Sequence, residues 1–193
     1  MCAPRDAQQE RGDAARNRAL LLDAARRLVA ERGADAVTMD DVAAAAGVGK
    51  GTLFRRFGSR AGLMMVLLDE DERASQHAFL FGPPPLGPDA PPVDRLVAFG
   101  RDRIRFVHTH HALLSEANRH PQSRYNAPTM VQRTHVRVLL QAADTTGDLD
   151  VQTDALLSLF DVDYVEHQLN EGGHTLQTLG DGWESLARKL CGK

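Results

Sequence analysis

Residues 38–63 read TMDDVAAAAGVGKGTLFRRFGSRAGL, and the fold is decided on this stretch. Thr38 is followed three positions later by Asp41, a capping-box spacing with Asp where Glu is commoner, so a helix is expected to open at Met39. The run Met39–Ala46 is short and meets Gly47-Val48-Gly49. Gly47 can take the left-handed conformation that a side chain resists. A second short helix, Lys50 to about Phe57, follows at once, and Gly58-Ser59 stops it and caps a longer helix from Arg60. Val42 and Val48 can pack between the two short helices, with Leu53 and Phe57 facing the same core. Lys50, Gly51, Thr52, Phe54, Arg55 and Arg56 are then left for the outward surface. A protruding helix that carries Lys, Thr and two Arg, and no acid, suits a groove lined by phosphates and base acceptors.

Working outward, Leu21, Ala24, Ala25, Leu28 and Val29 recur at spacings of three and four, and Gly33 ends that helix as a C′ glycine. Residues 1–14 are polar and without periodicity, and are expected as a disordered basic arm. After Arg60 the apolar Leu63, Met64, Val66, Leu67 and Leu68 give way to the charged run Asp69–Arg73. The prolines of FGPPPLGPDAPP (81–92) forbid continuous helix there. Beyond them helices are expected near 93–109, 110–118, 128–146, 151–170 and 174–190. With no strand-like alternation, the class is all-α: a three-helix helix-turn-helix domain at 15–62 and a helical ligand-binding and dimerisation domain at 63–193.

Composition agrees with a globular chain: of 193 residues, 42% are hydrophobic, 25% charged and 5% aromatic. The net charge of −3 argues against a nucleic-acid binder until the chain is divided. Residues 1–68 hold 11 Lys and Arg against 8 Asp and Glu, whereas the remainder holds 12 against 18. Cys2 and Cys191 have no partner spacing, so neither a disulfide framework nor a zinc knuckle is expected. No apolar run approaches the ~18 residues of a membrane span. The polar opening MCAPRDAQQERGDAARNR is unlike a signal peptide, so a cytoplasmic location with no membrane partner is expected.

The quoted stretch resembles the N-terminal domain of the TetR family of bacterial regulators, which carries the same order of Asp, Ala, Ala-Gly-Val, Gly-Thr-Leu and Phe at the same gaps. That resemblance implies a regulator of transcription that binds double-stranded DNA as a homodimer, usually a repressor released from a palindromic operator by a small-molecule effector. It also implies roles by position. Thr38 would cap the first motif helix and touch a phosphate; Lys50, Thr52, Arg55 and Arg56 would reach base edges or backbone. Arg60 would take the phosphate-contacting place of the family's Lys. Two positions depart from the pattern. Gly49 stands where Ser is usual and lacks a capping side chain. Phe54 stands where Tyr is usual, and losing one hydroxyl contact to phosphate costs about 1 kcal/mol.

In the second half, Leu176, Leu179, Trp183, Leu186 and Leu190 form a packing seam. The helix before it, with Leu156, Phe160 and Tyr164, is apolar on two faces and needs two partners. Leu156, Phe160, Tyr164, Leu176, Leu179, Trp183 and Leu186 are accordingly the expected dimer interface, in line with the family's pairing of its last two helices. A ligand pocket is expected from Phe99, Arg103, Phe106, Val107 and His110 on one helix and Val131, His135 and Val138 on another. The bland alternative is a snorkelling Arg103 beside core histidines. His108 and His111 lie one helical turn apart, but the spacing selects no further ligand from candidates such as Glu116 or His120, so no metal and no cofactor is assigned. A helical-bundle metalloenzyme would need repeated Glu-x-x-His pairs on separate helices, and Glu166-His167 and Glu116 with His120 do not make that set, so no catalytic residue is expected. The remaining alternative is a protein of this fold that binds DNA and a protein partner without a small effector.

Overall fold

The computed structural model describes residues 4–118 and 127–192, and among them it is helical with no strand. The chain divides into two compact units, Met1–Glu70 and Asp71–Lys193.

In the first unit, α1 (Pro4–Arg32), α2 (Met39–Ala46) and α3 (Lys50–Phe57) pack with the opening turns of α4 (Arg60–Phe81). The stretch 4–14, expected as part of a disordered basic arm, is helical from Pro4 onward, and with Arg5 and Arg11 against Asp6, Glu10 and Asp13 it is not basic. Ala, Gln, Glu and Arg are good helix formers and Pro suits the first position, so the absence of an apolar stripe does not forbid helix there. Gly33, at φ 79°, ends α1, its N–H bonded to the Val29 carbonyl at 2.9 Å. Leu21, Val42, Leu53 and Leu63, one from each helix, are fully buried together with Val37. Each such side chain contributes about 1.5–3 kcal/mol on leaving water. Glu70 accepts hydrogen bonds from Arg18 and Arg26, the latter at 2.7 Å. Partial burial would raise its carboxyl, but the two guanidiniums prevail and hold it below the usual range.

The second unit comprises the rest of α4 with α5 (Pro92–Thr109), α6 (His111–Asn118), α7 (Ala127–Ala142), α8 (Leu149–Ser158), α9 (Val162–Asn170) and α10 (Leu176–Leu190). Helix α5 is its centre, burying Leu96, Phe99, Arg103, Ile104 and Val107. Against it lies Trp183 of α10, whose indole N–H donates to the Leu96 carbonyl at 3.0 Å. Gly100 makes this approach possible, because a Cβ there would stand 1.8 Å from the indole ring. Ion pairs flank the contact, from Arg101 to Glu184 at 2.8 Å and from Arg188 to Asp94 at 3.2 Å.

The single helix expected at 151–170 is instead two, α8 and α9. Asp161 causes the restart: its carboxylate accepts from the N–H groups of Asp163 and Tyr164, capping α9 at 3.1 and 3.2 Å. The two apolar faces read from one helix therefore belong to two short ones. Helix α7 likewise stops at Ala142, four residues short of expectation, where Asp144 turns to a φ of 54°.

Candidate functional site

The local chemistry of residues 38–57 builds the helix-turn-helix. Thr38 Oγ1 accepts from the Asp41 N–H at 3.1 Å, and the Thr38 N–H donates to the Asp41 carboxylate at 3.0 Å, completing the capping box. The side-chain and backbone bonds from Thr38 hold the Asp41 carboxyl below its usual range. Gly47 makes the turn at φ 63° and ψ 27°. Gly49 then starts α3 with its carbonyl receiving the Thr52 and Leu53 N–H groups and with no side-chain cap. Leu53 is fully buried and Phe57 half-buried, so α3 is anchored along one stripe.

The opposite face is the exposed one. Lys50, Gly51, Phe54, Arg55 and Arg56 are exposed and Thr52 is half-buried. Phe54, a large apolar ring, is 46% exposed, which an isolated unit gains nothing from. Lys50 pairs with Asp40 of α2 at 2.6 Å, Arg55 makes a long 3.5 Å contact to the Thr52 hydroxyl, and Arg56 donates to the Ala14 carbonyl. Arg60 differs from the outward phosphate ligand expected of it. Half-buried, it donates to the carbonyls of Val37 (2.8 Å) and Ala34, tying the start of α4 to the turn before α2.

Residues 21–65 match the model of the family described as bacterial regulatory proteins, tetR family. The first unit thus carries a helix-turn-helix domain of the tetR type. Its helix-turn-helix is therefore the DNA-binding domain of a transcriptional regulator. Solved structures share the fold over nearly the whole length. A protein from Saccharomonospora viridis crystallised in complex with choline is 19% identical, with a TM-score of 0.68 over 88% of this chain and 94% of that one. A TetR-family protein from Rhodococcus sp. is 18% identical, with a TM-score of 0.64 over 92% and 99%. One from Mesorhizobium loti MAFF303099 is 15% identical, with a TM-score of 0.63 over 93% and 96%. No curated protein sequence matches the chain.

In the second unit, the eight residues expected around a pocket part company. Phe99 and Val107 are core, Val131 packs at the core's edge, and Val138 is 52% exposed on the outside of α7. Val138 is two residues from the fully buried Val136, so it turns away from the bundle. Arg103 and His135 do point inward. Arg103 Nη1 donates to Glu72 at 2.9 Å, Gln132 donates to the other oxygen of Glu72 at 2.9 Å, and the Arg103 guanidinium lies 4.2 Å from the centroid of Phe106. His135 sits between Phe79 and Phe99, with ring centroids 4.5 and 5.1 Å away. Burial, aided by the charge of Arg95, pushes its imidazole down to about 4. Arg103 Nε and His135 Nε2 are buried without a hydrogen-bond partner.

Sequence reasoning missed Glu72 and Gln132. Glu72 carried a signal, since it lies four residues after buried Leu68 and seven before buried Phe79, on an inward stripe of α4. Outside this network is an open groove of about 350 Å³, lined by Ser75, Ala78, Asp102, Arg105, Phe106 and His110 among others. Only Phe106 and His110 of the expected pocket reach it. The His110 ring stacks on Phe106 at 4.2 Å, and its Nε2 stands 3.1 Å from Asp71.

The expected dimer residues divide in the same manner. Leu156 and Trp183, 3% and 2% exposed, belong to the unit's own core rather than to a free face. Both lie on the inner stripe of an amphipathic helix that hydrophobicity alone does not tell from the outer one. Tyr164, Leu176 and Leu186 are exposed, with Phe160 and Leu179 half-buried. Cys191 is buried. Cys2, His120 and the side chain of Glu116 lie outside the described residues. Among the described residues no helix is long and apolar enough to cross a membrane.

Proposed function

We propose that this TetR family chain is a cytoplasmic homodimer that represses transcription from a palindromic operator in double-stranded DNA. The observation that carries the reading is the exposed face of α3, free of acids and anchored from behind by Leu53. Lys50, Thr52 and Arg55 are assigned to base edges, and Arg56 and Thr38 to phosphates. Gly49 and Gly51 let the backbone come close, and the Phe54 ring can lie against sugar or a thymine methyl. Arg60 serves chiefly to position the motif, given its bonds to Val37 and Ala34.

Exposed Tyr164, Leu176 and Leu186, with half-buried Phe160 and Leu179, are the residues assigned to the second subunit. Twofold symmetry then presents two α3 helices to two half-sites. The groove between Asp102, Phe106 and His110 is assigned to a small polar effector, with the buried Arg103 network behind its Phe106 wall. The choline bound to the Saccharomonospora viridis protein supports a small organic molecule in this role. An effector that binds the non-operator conformation more tightly weakens DNA binding by linkage. The openness of this groove to solvent also fits the alternative, in which a protein partner rather than a metabolite regulates the chain.

The test is capture of fragmented genomic DNA by the purified protein beside a variant with Lys50, Thr52 and Arg55 changed to Ala. Enrichment of an inverted repeat by the native chain alone supports the dimeric reader. No enrichment at low salt, where phosphate contacts are strongest, rejects it.

A further inference from the structure

We propose that His108, His111 and Glu166 form a site for a divalent transition metal of the zinc type in the second unit. His108 stands in the last turn of α5, His111 opens α6, and Glu166 comes from α9, so the three meet only in the folded chain. One ligating atom from each lies within 4.8 Å of the other two. The geometry is already close to a coordination sphere on one edge. Ligand atoms about 2.0–2.1 Å from zinc, at angles between square and tetrahedral, stand roughly 2.9–3.4 Å apart. His108 Nδ1 and Glu166 Oε1 stand 2.9 Å apart. His111 is exposed, and its ring lies over that of His108 with centroids 6.1 Å apart.

The surroundings supply the outer partners that metal ligands require. His111 Nδ1 is 2.8 Å from the His108 carbonyl, which favours the neutral tautomer with its lone pair on Nε2. Asn170 Nδ2 donates to Glu166 Oε2 at 3.3 Å, leaving Oε1 turned to His108. Two imidazoles and one carboxylate suit zinc better than calcium or magnesium, which prefer all-oxygen shells. Three protein ligands at a partly exposed position leave the fourth to water. A bound ion would join the α5–α6 corner to α9, a cross-link that the His108–Glu166 hydrogen bond makes only weakly on its own.

The full chain, purified without a histidine tag and stripped of metal by chelation, is titrated with Zn²⁺ by calorimetry, and with Co²⁺ as a visible-absorption probe. One ion per chain is expected, with a rise in melting temperature and Co²⁺ bands of four- or five-coordinate N/O ligation. His111→Ala and Glu166→Gln each weaken binding at least ~10-fold while leaving the metal-free circular dichroism spectrum unchanged. Absence of stoichiometric binding by the native chain overturns the site. So does binding that persists undiminished in both variants, which would put the ion on other histidines.

Discussion

Arginine does different work in α3 and in the second unit. In the second, arginines answer to carboxylates: Arg101 to Asp181 and Glu184, Arg133 to Asp150 and Asp154, Arg188 to Glu184 and Asp94, and Arg103 to buried Glu72. In α3 there is no acid at all, and Arg55's contact is a long one to a hydroxyl. The lesson is that counting cations does not locate a polyanion surface. What marks it is a short protruding helix whose cations, among the described residues, have no carboxylate partner beyond Asp40 on Lys50.

That contrast, with the second unit closed on itself and the first open, can be broken by mutation. The largest effect is expected from Trp183→Ala, which empties the notch over Gly100 and costs about 3–5 kcal/mol. Chemical denaturation measures it, and a cost near that of a surface residue would mean that α10 is not integral to the unit. Next comes pH. His135 is neutral when folded and titrates at about 4, against 6.5 for its unperturbed value. The unfolded chain therefore binds the extra proton first, and stability is lost as pH falls from about 6.5 toward 4, by roughly 2–3 kcal/mol. His135→Leu should flatten that stretch of the stability–pH curve, and an unchanged slope would assign the loss to other groups.

In the open unit the effects shrink. Thr38→Ala removes the capping box of α2 and should cost about 1 kcal/mol in thermal or chemical unfolding. Smallest is Asp40→Asn, which releases Lys50 from its exposed ion pair. Duplex affinity should tighten by less than about 1 kcal/mol, the range of such pairs. Weaker binding on removal of that acid would contradict the placing of Lys50 toward DNA.

The helix-turn-helix was legible in the sequence because its determinants are local. Thr38 to Asp41 is a four-residue pattern, Gly47 answers one φ angle, and Leu53 and Phe57 lie one turn apart. The second unit was legible only as helices. Trp183 and Leu186 read alike along α10, yet one fills a notch opened by Gly100, 83 residues earlier, and the other is exposed. Glu166 could not be chosen as the partner of His108 from spacing, since 58 residues separate them. Asp161 was overlooked as a cap because apolar residues continue on both sides of it. Long-range packing decides the first two of these, whereas Asp161 acts through a local cap.

The central claim is that α3 reads DNA and that paired arginines elsewhere do not. Its most direct test is fluorescence anisotropy of a labelled operator-length duplex across a salt series, comparing Lys50→Ala/Arg55→Ala with Arg133→Ala/Arg137→Ala, which removes the same number of cations from α7. The α3 variant is expected to bind at least ~30-fold more weakly, with a salt slope shallower by about 2, and the α7 variant to stay within about twofold of native. Equal losses in the two variants, or no loss in the first, would contradict it.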